Sequence, residues 1–227
     1  MVHIQIAIDG PAGAGKSTIA KILAERLGFI YIDTGAMYRA VTYLALQQGV
    51  LTDDEEELAS LAEKCTIELY WNCDGSQQVL LNGQDVSQEI RSPLVSRMVS
   101  QVARHPKVRS VLVRKQRQMA DEHNVVMDGR DIGTTVLTGA EVKLFVTATL
   151  EERARRRFQE MKDKGFTGSL EEIKAELSQR DQLDQNREAS PLVAAKDAIL
   201  IDTTDSSLEE AVEHIYQIIL KAKESLR

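Results

Sequence analysis

An α/β architecture with a parallel central sheet is predicted by three features of the sequence. Short apolar runs recur along the chain, helical spacings of apolar residues separate them, and the first run passes directly into a glycine-rich turn. The runs are Ile4 to Ile8, Phe29 to Ile32, Val125 to Met127, Val142 to Val146 and Ala198 to Ile201, which predicts five strands. Ile4, Ile6 and Ile8 with Ala7 between them give the pattern of a strand covered on both faces. Ser17 to Leu27 then has helical spacing, with Ile19, Ile22, Leu23 and Leu27 on the predicted core side.

The turn between these two elements is Gly10-Pro11-Ala12-Gly13-Ala14-Gly15-Lys16-Ser17, a match to G-x-x-x-x-G-K-[ST]. Glycines let successive backbone N–H groups curl around a polyphosphate, Lys16 reaches its outer phosphates, and the Ser17 hydroxyl is a ligand for Mg²⁺. A helix N-terminus aimed at anionic oxygen agrees with that reading. The fold class is therefore a P-loop NTPase core, a five-stranded parallel sheet flanked by helices. Gly10 to Ser17 with Thr18 are the candidate ATP-binding residues.

Further along, helical spacing covers Asp54 to Lys64, and two strand-like runs follow, Thr66 to Trp71 and Gln78 to Leu81, joined by Asn72-Cys73-Asp74-Gly75-Ser76. They interrupt the alternation of strand and helix and predict an antiparallel hairpin. Helices are predicted at Pro93 to Ala103 and Pro106 to Glu122. Residues of roughly 60 to 100 are thus expected to form an inserted subdomain, and a second insertion is expected around Lys164 to Gly168 between two charged helices. Capping boxes are predicted at Thr52 with Glu55, Thr149 with Glu152, Ser169 with Glu172 and Ser207 with Glu210.

At 227 residues and 43% hydrophobic, the chain buries a core without covalent staples. Its two cysteines, Cys65 and Cys73, make neither a disulfide framework nor a four-ligand zinc site and are expected as free thiols. The N-terminus shows no signal-peptide pattern, and no apolar run approaches the ~20 residues of a membrane span, so a cytoplasmic protein without a membrane partner is expected. A formal net charge of −7 argues against binding to a nucleic-acid backbone.

In open α/β sheets ligands bind beyond the carboxyl ends of the strands, and the loops leaving all five runs are polar or basic. The second carries Asp33-Thr34-Gly35 with Tyr38 and Arg39, the third Asp128-Gly129-Arg130-Asp131, and the fifth Asp202-Thr203-Thr204. Asp33 and Asp202 read equally well as strand ends or turn caps. Asp128, at the tip of a strand, is the expected Mg²⁺ partner of the loop, directly or through water. The fourth loop opens a helix with Arg153, Arg155, Arg156 and Arg157; Arg153 and Arg157 share a face suited to ATP phosphates, although Glu151, Glu152 and Glu160 offer pairing within the helix. Arg180, Asp184 and Arg187 fall at i, i+4 and i+7, a ridge of alternating charge that is either a salt-bridge ladder or a phosphate contact.

A kinase acting on a hydroxyl needs a base for the attacking O–H, whereas a phosphate acceptor is already anionic and needs cations above all. Two arginine sets predict two phosphorylated ligands, with Arg39, Arg130 and Arg187 holding an acceptor phosphate in line with the γ-phosphate. Lys16, Arg130, Arg187 and Asp128 are then the candidate catalytic residues.

GPAGAGKS with Asp33-Thr34-Gly35-Ala36-Met37-Tyr38-Arg39, Asp128-Gly129-Arg130-Asp131-Ile132-Gly133-Thr134 and Arg180-Asp181-Gln182-Leu183-Asp184-Gln185-Asn186-Arg187 resembles the bacterial cytidylate kinases across essentially the whole chain. The resemblance implies a single kinase unit with a monophosphate-binding region at about 35–104, a lid at about 153–183, and transfer of the ATP γ-phosphate to CMP or dCMP with Mg²⁺; a monomer is the default expectation. By the same resemblance Thr34, Arg39, Arg130 and Arg187 match positions at the acceptor phosphate, Ser100, Arg109 and Asp131 match positions that read the pyrimidine, and Arg180 and Asp184 match sugar contacts. A carboxylate beside donors suits the exocyclic amine and O2/N3 edge of cytosine; uracil would present O4 to that carboxylate. Gln182, Leu183 and Gln185 make the last block less basic than in some relatives, which bears on fine specificity. Other readings are a P-loop kinase for UMP, AMP or shikimate, or a nucleotide-binding module without acceptor chemistry. A guanine-reading N-K-x-D motif is absent, since Asn186-Arg187-Glu188-Ala189 lacks the Lys and the Asp.

Overall fold

The computed structural model of the chain describes residues 3–71, 77–163 and 168–225. In chain order its elements are β1 (Gln5–Asp9), α1 (Lys16–Leu27), β2 (Ile30–Asp33), α2 (Thr34–Gln48), α3 (Glu55–Lys64), β3 (Ile67–Trp71), β4 (Gln77–Leu81), β5 (Gln84–Asp85), α4 (Pro93–Ala103), α5 (Pro106–Ala120), β6 (Val125–Asp128), β7 (Val142–Thr147), α6 (Leu150–Asp163), α7 (Leu170–Asn186), β8 (Ile199–Asp202) and α8 (Leu208–Ser225). A short 3₁₀ turn lies at Glu89–Arg91 and a π turn at Ile132–Val136.

The chain divides into two units, one from residues up to Tyr31 together with those from Ala120 onward, the other spanning Ile32–Met119. The first carries the parallel sheet in the order β2-β6-β1-β7-β8, so all five predicted strands form. β1 is central, and Ile6, Ala7 and Ile8 are completely buried because strands flank it and helices cover it. Parallel registers of Ile8 with Asp128 and of Asp9 with Phe145, with β7 running on to Thr147, set the loops after β1, β6 and β7 along one rim of the sheet. On α1 the buried apolar face is Ile19, Ala20, Leu23 and Ala24; Ile22 and Leu27, expected on that side, are only half-buried.

The second unit packs α2, α3, α4 and α5 with an antiparallel sheet ordered β3-β4-β5 around Met37, Leu58, Val79, Ile90, Val99 and Leu112. The predicted antiparallel pairing is present, Leu69 opposite Val79, and its joining residues 72–76, Cys73 among them, lie outside the described residues, as do residues 164–167 of the second expected insertion. β5 is a strand of two residues that no periodicity announces. Cys65 is a buried free thiol. The helix predicted at Pro106 to Glu122 stops at Ala120.

Helix starts follow the caps in part. Ser169 with Glu172 and Ser207 with Glu210 form both reciprocal bonds of a capping box. Thr149 accepts from Glu152 N–H at 3.3 Å, but the Glu152 carboxylate turns to Arg155 and Arg156 instead of closing the box. The cap expected at Thr52 does not form: Asp54, nearer the helix, accepts from Glu57 N–H, and the Thr52 hydroxyl donates to Gln101. No described helix is long and apolar enough to cross a membrane.

Candidate active site

β1 ends at Asp9, and the chain turns through Gly10 at φ 146 to wrap the loop. A Cβ at Gly10 would collide with the carbonyl oxygen of Val146 on β7, so only glycine lets the loop leave the strand here. Lys16 opens α1, buried, with its Nζ donating to the Pro11 carbonyl at 2.8 Å. Burial lowers its pKa to about 7, and the nearby guanidiniums of Arg130 and Arg180 add to that against the pull of Asp128 and Asp9. An ammonium so crowded by cations is stabilised by an arriving polyanion.

The Ser17 hydroxyl donates to Asp128 Oδ2 at 2.8 Å, and the Tyr31 hydroxyl to Asp128 Oδ1 at 2.7 Å. Parallel register of β1 and β6 produces the first bond, since it carries Asp128 to the foot of the loop. Tyr31 was not singled out from the sequence, because a strand aromatic reads as core. Hydroxyl and carboxylate oxygens are the donor types that Mg²⁺ takes, so this pair fits that ion.

Asp9 is the second unforeseen residue. Its carboxylate accepts from Ile132 N–H at 2.7 Å and Gly133 N–H at 2.8 Å, and holds the π turn after Asp131 against the end of β1. Burial raises its pKa to about 6 despite those two bonds.

Beyond α7 the predicted cationic ridge gathers on carboxylates. Arg130 Nε donates to Asp184 Oδ2 at 2.9 Å, and Arg187 reaches Asp131 at 3.4 Å. Burial would raise Asp184, but Arg130, Arg180 and Arg187 outweigh it and hold the carboxyl below its ordinary range. Three guanidiniums therefore press on one carboxylate. Arg187 lies one residue past the helix, in extended conformation, and its Nε turns to the Ser190 carbonyl.

Arg153, expected at the donor phosphates, has partners within the chain. It is buried, with Nε donating to the Ala148 carbonyl at 3.0 Å, Nη1 to the Ala12 carbonyl at 3.0 Å, and an ion pair to Asp181 at 2.7 Å. Three groups of the protein thus already hold it. Arg157, on the same face, is more exposed and pairs with Glu160 at 2.8 Å. Asp202 accepts from Thr204 and is a turn cap.

The other predicted residues belong to the second unit. Asp33 caps α2 by accepting from Ala36 N–H at 2.9 Å and pairs with Arg39 at 2.8 Å; burial opposes its charge, and Arg39, Ala36 N–H and Arg91 together keep its pKa below the usual value. Arg39 Nε is buried with no hydrogen-bond partner among the described residues. Thr34 is buried at the first position of α2. Ser100 and Arg109, which pass for helix-surface residues in the sequence, are 8% and 3% exposed. Arg109 lies over the Tyr38 ring at 5.4 Å and donates to the Ala103 carbonyl, which places it beside the α2 turn that bears Arg39.

A family model described as cytidylate kinase matches residues 6–221, nearly the whole chain. The chain belongs to the cytidylate kinase family. A cytidylate kinase from Caldanaerobacter subterraneus subsp. tengcongensis is 55% identical over 218 residues, covering 96% of this chain and 95% of the relative. One from a Geobacillus species is 56% identical over 217 residues, covering 96% of each. Among solved structures, an uncharacterized protein from Eubacterium ventriosum superposes with a TM-score of 0.52 over 97% of this chain and 99% of its own, at 14% identity, and shares the fold alone. This cytidylate kinase family member is an ATP-dependent nucleoside monophosphate kinase.

Proposed function

We propose that the chain transfers the γ-phosphate of ATP to CMP and dCMP. The observation that carries the residue assignment is the buried Lys16, its charge disfavoured by burial and by Arg130 and Arg180 until a polyphosphate arrives. Gly10 to Thr18 wrap the donor phosphates, with Lys16 on the outer ones and Arg157 of α6, paired with the exposed Glu160, as a further cation for them. Ser17 and Asp128 hold Mg²⁺, which when bound neutralises charge on the phosphate oxygens. Arg130, Arg187 and Arg39 take the acceptor phosphate, Thr34 adds a hydroxyl there, Arg180 and Asp184 take the sugar, and Ser100, Arg109 and Asp131 read the base. No general base is required, because the acceptor oxygen is already anionic. The monophosphate-binding region at about 35–104 and the lid at about 153–183 are the corresponding segments.

A coupled assay with ATP and a panel of CMP, dCMP, UMP, AMP, GMP and shikimate tests the reading. CMP and dCMP are expected to lead, with UMP about 10- to 100-fold lower in kcat/KM, the equivalent of ~1–3 kcal/mol for mispaired buried polar groups. Any other acceptor in first place overturns it.

A further inference from the structure

The buried stripe of α7 runs Ile173, Leu177, Asp181, Asp184, so an apolar face turns into a row of carboxylates. Ile173 and Leu177 pack with Ala12 of the loop and Ala154 of α6. At the next turn Asp181 meets Arg153, whose guanidinium also holds the Ala12 carbonyl. The loop crest rests on the same point: a Cβ at Gly13 would lie 3.2 Å from Arg153 Cβ and 3.3 Å from its carbonyl oxygen.

We infer that Arg153 and Asp181 form a strut that sets the crest of the phosphate loop against α7, making Arg153 a positioning residue that acts through Asp181 and not a ligand of the donor. Asp181 follows Arg180 and lies three residues before Asp184, so a shift of the loop is passed to the arginine and carboxylate proposed for the acceptor. Asp181 Oδ1 has no hydrogen-bond partner among the described residues. A buried pair serving stability alone gains most when every lone pair is satisfied, and here one oxygen is left bare. The strut rests on the reading that the loop takes ATP and the α7 side takes CMP.

Its test is a double-mutant cycle of Arg153→Lys and Asp181→Asn, with steady-state kinetics in both substrates. Lysine keeps the charge but has one donor head and cannot reach Ala12, Ala148 and Asp181 together. Each single change is expected to raise KM for ATP and KM for CMP together, by about three- to tenfold, with a smaller effect on kcat and with the double no worse than the poorer single. A rise in KM for ATP in Arg153→Lys with Asp181→Asn unchanged would make Arg153 a donor ligand and overturn the strut, as would additive losses. Should Arg153→Lys fail to fold, Asp181→Asn decides alone: unchanged KM values for both substrates sink the proposal. Ile173→Val, which thins the same packing, is expected to lower Tm and leave both KM values in place; an equal rise there reduces the pair to packing and overturns the proposal. Failure of the wild-type chain to phosphorylate CMP at all would instead strike the functional reading.

Discussion

Two arginine-rich stretches of the first unit, α6 and the end of α7 with the β6 loop, use the same side chain in opposite ways. On α6 the guanidiniums have acceptors to hand: Arg155 and Arg156 share Glu152, Arg156 also reaches the Thr203 carbonyl, Arg157 takes Glu160, and Arg153 is held by two carbonyls and Asp181. Around Asp184 the cations converge, with Arg130, Arg180 and Arg187 all bearing on that carboxylate while Arg187 also reaches Asp131 and the Ser190 carbonyl. Residue type is equal in the two places, and the convergence of three cations on one carboxylate sets the second apart from the braced helix.

The largest break in that comparison is expected from Arg187→Ala. Removing a cation from the crowded side should cut kcat/KM for CMP by about 10³-fold, ~4 kcal/mol, while ATP affinity measured by calorimetry stays within about threefold. Equal loss of both would dissolve the contrast.

Next in size is Asp9→Asn, which leaves Gly133 or Ile132 N–H facing an amide N–H and should lower kcat/KM for CMP about tenfold. Asp9 also gives a pH signature. Its folded pKa of about 6 exceeds the model-peptide 3.8, so the folded state holds that proton more tightly, and the group's stabilising contribution is full below the lower value and lost as pH rises through 6. Activity should run the other way, falling as pH drops through about 6 when one oxygen stops accepting, with Asp131 and Lys16 the charges that bear on it. A pH-rate profile whose acid limb persists unchanged in Asp9→Asn would remove Asp9 from the account.

The smallest effect belongs to Arg155→Ala. Arg155 is 70% exposed at the side chain, so its pair with Glu152 is screened by solvent and adds little. Kinetics for both substrates should stay within about twofold; a tenfold change would show that α6 is not merely braced.

The parallel sheet, the glycine-rich turn after β1 and the place of Asp128 at the end of β6 were legible because each leaves a local mark, a run of apolar residues or a fixed spacing. Asp9 was not, since its partners are backbone N–H groups of residues 132 and 133, which leave no trace in side-chain identity. The partners of Tyr31 and Arg153 were hidden for a related reason: one looks like any strand aromatic, the other like its neighbours in a charged run, and only burial and partners tell them apart. Ser100 and Arg109 emerge from the family resemblance, while periodicity assigns them to a surface they do not occupy. At Thr52 two adjacent acids compete for the helix start, and Asp54 wins by position.

Gly10, pressed against the Val146 carbonyl, also predicts how the chain tolerates variation. In a library carrying every substitution at every glycine, its column should be empty after selection. Gly28, Gly49 and Gly83 also have positive φ but face open space, and their columns should retain asparagine. A selection experiment would thus find the loop's exit from the sheet before it found any ligand.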